Sequence, residues 1–272
     1  MRTLPQGRVI RLIKRIGARG TAIDAGTQSA ALTYQALLSL IPLVIFAGAV
    51  LGFVFAGDPT KADYWTGRFA ELIPGLEEVV GRSIDSLVDA RVSAGILAVL
   101  VLAWTGSSLA ARCSHVVVRA FGLPPAHWIR RRLLSLVEIL LVGAAVLAGV
   151  VITSITSQDA SALGLVVGVA VVFAASLTAY VVFTPAGGPP WRRHLPGAAL
   201  LCVAIVLLTG LGSFYVQQVV ARATAVYGAI AAFIGLLAVL SLGANAYVYG
   251  AVLSSVLGDE RDEAASGDPS SR

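Results

Sequence analysis

This chain has little charge for its length. Asp, Glu, Lys and Arg make up 13% of its 272 residues, against roughly 25% in a soluble domain. Histidine occurs three times and cysteine twice. No His-Glu-x-x-His occurs, so the metal pair of a zinc protease is excluded. The clustered His and Asp of a metal-dependent nuclease are missing as well. No Walker A loop is present, which excludes ATP hydrolysis by that route. Gly106-Ser107-Ser108 is followed by Leu109, and no later apolar segment carries a histidine base for a serine nucleophile. His115, His127 and His194 are isolated in or near polar segments and read as interfacial residues rather than ligands. These absences leave no enzyme, no cofactor and no metal site in the reading.

What the chain has in quantity is hydrophobic sequence, 57% of its residues. Six apolar stretches dominate it: Ala30–Ala56, Val92–Ala111, Leu133–Thr153, Leu163–Phe183, Leu195–Val216 and Tyr227–Leu257. A bilayer core about 30 Å thick needs about 20 helical residues, and each stretch supplies them. Segments such as Leu133–Val151 are apolar on every side, without the alternation of barrel strands, so they read as helix. The expected fold is an all-α polytopic membrane protein of six transmembrane helices in one domain, residues 30–257. The first span follows nearly thirty residues, too many for the short basic start of a cleaved signal peptide, so the N-terminus is expected to be retained.

Lys and Arg collect on the cytoplasmic side of membrane proteins. Here Arg2, Arg8, Arg11, Lys14, Arg15 and Arg19 precede span one. Arg112, Arg119, Arg130, Arg131 and Arg132 separate spans two and three, and Arg192 and Arg193 separate spans four and five. The opposite side holds fewer basic residues together with Asp58, Asp63, Glu71, Glu77, Glu78, Asp85, Asp89 and Asp159. Both termini are therefore expected in the cytoplasm. The basic residues are scattered without an aromatic platform, so nucleic acid is not an expected partner. Cys113 and Cys202 fall toward the cytoplasmic half, where they should stay reduced and pack as small apolar residues.

Three segments lie outside the spans. In residues 1–29, Val9, Ile10, Leu12, Ile13 and Ile16 alternate with Arg11, Lys14 and Arg15, which predicts a basic amphipathic helix suited to anionic inner-leaflet lipids. The bland alternative is a basic stub that only fixes topology. Residues 57–91 carry apolar residues at helical spacing, divided by Pro74-Gly75, and predict an extracytoplasmic amphipathic helical cap between spans one and two. Residues 258–272 are small and polar and are expected to be a disordered cytoplasmic tail.

Polar residues within the membrane cost free energy, so they are the first functional candidates. Gln28, Gln35 and Ser39 fall on one helical stripe of span one, with Pro42 as a gate or kink. Thr105 and Ser108 continue the pattern on span two, and Asn245 stands deep in span six. Directed at one axis, these would line a polar interior; otherwise they glue helices at about 0.6 kcal/mol per hydrogen bond. Glu138 is the one acidic residue inside an expected span, and it reads as a cytoplasmic ion pair with Arg112 or Arg131. Gly48-x-x-x-Gly52 and Gly164-x-x-x-Gly168 read as helix-packing sites.

Several of these segments resemble one known family. Ser29-Ala-Ala-Leu-Thr-Tyr-Gln-Ala-Leu-Leu-Ser-Leu-Ile-Pro42 is similar to the opening signature of the YihY/BrkB family of bacterial inner-membrane proteins. Val118-Arg-Ala-Phe-Gly-Leu-Pro and Trp128-Ile-Arg-Arg-Arg-Leu resemble its basic loop, and Pro190-Trp-Arg with Leu195-Pro-Gly-Ala-Ala its entry to the fifth span. Tyr227-Gly-Ala-Ile-Ala-Ala resembles the start of its sixth. The last span departs from the family's Gly-Ala-Glu, since Gly250-Ala251 is followed by Val252. The resemblance implies a multi-pass protein of the bacterial inner membrane, and it carries the label ribonuclease BN, against which the missing metal cluster argues. The expected function is a carrier for a polar or amphipathic solute or lipid, without an ATPase of its own. The alternative is a scaffold that binds another envelope component.

Overall fold

A computed structural model describes residues 6–54, 91–124, 162–185, 187–215 and 225–266. Six α-helices account for most of them: α1 (Gln6–Ala22), α2 (Ala25–Val54), α3 (Arg91–Phe121), α4 (Ala162–Val181), α5 (Leu195–Tyr215) and α6 (Ala225–Ser266). A 3-10 turn, Trp191–His194, leads into α5. No strand occurs among the described residues. Five of the six apolar stretches thus coincide with helices. The third stretch, Leu133–Thr153, and the cap proper, residues 57–90, lie outside the described residues.

Local chemistry explains where the helices stop. The turn between α1 and α2 is made at Asp24, which takes a left-handed backbone with φ 54° and whose carbonyl accepts the amide of Gln28 at 3.0 Å. Aspartate is among the few residues besides glycine that visit this region readily. α3 ends on Gly122 at φ 63°. The amide of Leu123 donates to Val118 O at 2.9 Å, and that of Gly122 to Arg119 O at 3.3 Å. This pair of bonds is a Schellman cap, which needs an αL residue that glycine supplies without a Cβ penalty. The bend after α4 turns on Gly187, at φ 82°. Pro196 sits in the first turn of α5, where its missing N–H has no helical acceptor to lose.

Two helices among the described residues contain segments long and apolar enough to cross a membrane, Trp191–Leu208 and Phe233–Ala265. Their outward residues are greasy: Leu200, Val203, Leu207 and Leu211 on α5, and Ile230, Phe233, Ile234 and Leu242 on α6, are all exposed. An apolar exterior of this extent suits lipid rather than water.

The tail departs from expectation. α6 does not stop at Leu257 but continues as helix to Ser266. Arg193 holds the Asp262 carboxylate at 2.6 Å, and Arg15 holds Glu263 at 3.0 Å. Ion pairing ties down a turn whose composition alone reads as solvated.

The chain divides into two units, Met1–Leu32 with Ala110–Val206 and Gly243–Arg272, and Thr33–Leu109 with Leu207–Leu242. In the first, Val116, Val117 and Ala120 of α3 are buried, as are Tyr180, Ala198, Val248 and Val252. Here α5 and α6 touch backbone to backbone. A Cβ on Gly197 would strike Gly250 O and Ser254 Oγ, and one on Gly250 would strike the Tyr180 hydroxyl. By contrast, no described residue lies within 4 Å of a Cβ built on Gly168. The close approach expected at Gly164-x-x-x-Gly168 is therefore not made at Gly168; it falls at Gly197 and Gly250.

Candidate functional site

The second unit holds the polar stripe. Gln35 is half-buried on α2, and its Nε2 donates to Thr105 O of α3 at 3.3 Å. Ser39 donates to Gln35 O at 2.8 Å, Thr105 to Val101 O at 3.0 Å, and Ser108 to Trp104 O at 2.9 Å. Each hydroxyl thus spends its proton on the carbonyl one turn earlier in its own helix, the usual way Ser and Thr satisfy themselves in an apolar setting. The hydroxyl oxygens keep acceptor capacity. Beside the stripe, Tyr34 and Trp104 are exposed, Trp104 by 66%.

The other expected interior residues belong to the first unit. Gln28 is buried near the start of α2, and Asn245 is half-buried on α6. Pro42 lies within α2, which runs as one helix from Ala25 to Val54; its side chain lies outside what the structure describes. Arg112 is exposed on α3. Its expected partners Glu138 and Arg131 lie outside the described residues.

A second cluster, in the first unit, went unnoticed in the sequence. His194, expected at the interface, is fully buried. Its ring meets Phe121 edge-on with centroids 5.0 Å apart and lies parallel to Tyr180. Tyr180 in turn stacks on Tyr247 at 4.7 Å and donates its hydroxyl to Tyr247 O at 2.8 Å. The Tyr247 hydroxyl lies 3.4 Å from both Cys113 O and Ala179 O. Below the ring, Ser254 Oγ accepts the Gly197 amide at 2.9 Å.

The cluster assigns the histidine tautomer. Thr184 Oγ1 donates its one proton to Tyr180 O at 2.9 Å. Toward His194 Nε2, 3.0 Å away, it can only accept. With the hydroxyl proton on Tyr180 O, the tautomer expected of the neutral imidazole has its proton on Nε2. Its Nδ1 is then a buried acceptor without a hydrogen-bond partner. The signal available beforehand was the pair of tyrosines: a phenol deep in an apolar span must find an acceptor. The histidine's burial had no such signal, because two arginines precede it.

No group of three His, Cys, Asp or Glu side chains positioned to hold a metal occurs among the described residues. Cys202 is buried and forms no disulfide among the described residues, with its thiol 3.7 Å from Val169 O. The described geometry is that of packed α-helices with a greasy exterior, two of which contain segments long and apolar enough to cross a membrane, and it fits the class of helical membrane proteins. Residues 21–272 match the family model described as Virulence factor BrkB, so the chain belongs to the BrkB family. No curated protein and no solved structure matches it.

Proposed function

We infer that this chain is a multi-pass protein of the bacterial inner membrane, with six spans and both termini in the cytoplasm. Its expected role is that of a carrier, without an ATPase, for a polar or amphipathic solute or a lipid. The observation that supports the reading is the stripe of Gln35, Ser39, Thr105 and Ser108 on α2 and α3. The Gln35 side chain reaches the neighbouring helix through a long 3.3 Å bond. A bond of that length is weak, and a solute hydroxyl or phosphate oxygen can replace it.

The test is flux in proteoliposomes, with a fluorescent phospholipid and small polar tracers. Gln35→Leu and Asn245→Leu should each reduce flux of the carried tracer about tenfold, roughly 1.4 kcal/mol, while thermal unfolding stays cooperative. Unchanged flux, or none from the parent protein, counts against a carrier.

A scaffold is the second reading, and one observation favours it. The hydroxyls of Ser39, Thr105 and Ser108 donate within their own helices, as helix-packing residues do. A scaffold predicts that deleting residues 1–20 or disrupting the 57–91 segment loses envelope partners in crosslinking pull-downs. Ribonuclease chemistry is no part of either reading, because the sequence lacks a nuclease-type His and Asp cluster.

A further inference from the structure

We propose that α1 lies in the membrane interface as a fixed lipid-binding helix, with its Ile10–Ile13 edge in the acyl boundary and Arg11 and Lys14 on anionic headgroups. The inference rests on the membrane assignment and is independent of any transport activity.

α1 carries two rows of small or apolar residues. Leu12, Ile16 and Gly20, spaced by four, turn inward. A side chain at Gly20 would meet the Tyr249 ring 3.3 Å away. Arg15 is held by Glu263 of α6, and Arg19 donates to Ala120 O of α3 through Nε at 3.1 Å and Nη2 at 3.0 Å. These contacts fix the helix about its own axis.

Fixing that face turns the other one outward. Ile10 and Ile13 are 54% and 61% exposed, and a Cβ on Gly17, one turn on, would meet nothing within 4 Å. Exposed Arg11 and Lys14 border this row on the side away from Leu12, Ile16 and Gly20. The helix holds Arg8, Arg11, Lys14, Arg15 and Arg19 and no acidic residue, so its complement is anionic. One turn beyond, at Asp24, the chain enters the long apolar helix α2, which keeps α1 at the depth where that helix meets water.

Among the described residues the apolar edge is Ile10 and Ile13, far narrower than the roughly 800 Å² per side of a stable protein interface. A leaflet has no such requirement, since lipid conforms to the surface it meets. An interfacial helix buries its apolar edge by about 5–10 Å. α1 up to Gly20 also precedes the residues that match the family, 21–272.

The test uses the full-length protein in vesicles of phosphatidylcholine, with or without phosphatidylglycerol. A fluorescent label on Ile13→Cys, in a Cys113→Ser, Cys202→Ser background, is quenched by lipids spin-labelled near the headgroup. Quenching at Ile13→Cys should exceed that at Ala18→Cys, on the polar side, by about threefold, and should be stronger with spin-labelled phosphatidylglycerol than with spin-labelled phosphatidylcholine, which reports recruitment of anionic lipid to the fixed helix. Arg11→Glu with Lys14→Glu should remove the phosphatidylglycerol dependence while thermal unfolding stays the same. Equal quenching at the two sites, or no response to lipid charge, overturns the proposal. A photocrosslinking residue at Ile13 in the otherwise native chain gives a second readout. Adducts with phosphatidylglycerol are expected, and adducts with protein in its place overturn the proposal.

Discussion

Arg19 and Arg119 each bind the carbonyl end of the helix that carries the other. Arg19 of α1 donates twice to Ala120 O in the last turn of α3, and Arg119 of α3 reaches back to Ile23 O, just past α1, at 3.5 Å. The end of a helix carries orphan carbonyls and about half a negative charge. Two cations exchanged in this way stabilise two helix ends at once.

The two contacts are unequal, and that gives the first prediction. Arg19 makes two bonds near 3.0 Å to a part-buried carbonyl, whereas Arg119 makes one long bond. Arg19→Ala should destabilise the protein by about 1.5–3 kcal/mol, the usual range for a charged hydrogen bond. Arg119→Ala should cost less than about 1 kcal/mol. Thermal unfolding in detergent, followed by circular dichroism, measures both.

The α5–α6 crossing gives a second prediction. Gly197→Ala and Gly250→Ala each force a methyl into backbone or a buried hydroxyl, so each should cost more than about 2 kcal/mol. Gly168→Ala places its methyl in open space and should be neutral or stabilise by up to about 1 kcal/mol through helix propensity. Comparison of the three melting curves checks the contrast.

His194 gives a third. With Thr184 as acceptor, the ring nitrogen carrying the proton is Nε2. Nitrogen-15 spectra of histidine-labelled protein should show one residue locked in that tautomer, lost in His194→Phe. Thr184 keeps its bond to Tyr180 O, so His194→Phe should cost about 1–3 kcal/mol, set by the larger ring overfilling a closed site. His194→Ala should cost about 2–4 kcal/mol through the cavity it leaves.

The clasp on α6 gives a fourth. Arg193–Asp262 and Arg15–Glu263 are partly exposed pairs, each contributing no more than about 1 kcal/mol. Asp262→Ala with Glu263→Ala should therefore leave global unfolding nearly unchanged. Amide exchange over residues 258–266 should speed up about tenfold as that turn frays. Unaltered exchange would show that the helix holds there without the pairs.

Legibility followed from the kind of signal each feature left. Helix type was readable wherever apolar residues ran without alternation, as in Leu195–Val216, because lipid leaves the backbone no other way to satisfy itself. The α1 pattern of Ile10, Ile13 and interleaved basic residues was readable from spacing alone. The helical turn at Asp262–Glu263 was not, because its order comes from Arg15 and Arg193, distant in sequence. The buried His194 was hidden for a similar reason: its environment is assembled from Phe121, Tyr180 and Thr184. Small-residue spacing marked Gly168, whereas the contact made is between Gly197 and Gly250, which no single-helix spacing relates. Within the polar stripe, residue types were legible, but the proton of each hydroxyl was assigned only by the helix geometry around it.

Topology is the most direct test of the central claim that this helical membrane protein crosses the bilayer an even number of times with both ends inside. Fusions of green fluorescent protein and alkaline phosphatase to each terminus of the full chain read out the side on which it lies. Fluorescence without phosphatase activity at both termini is the predicted result. Active phosphatase at either end would contradict the account.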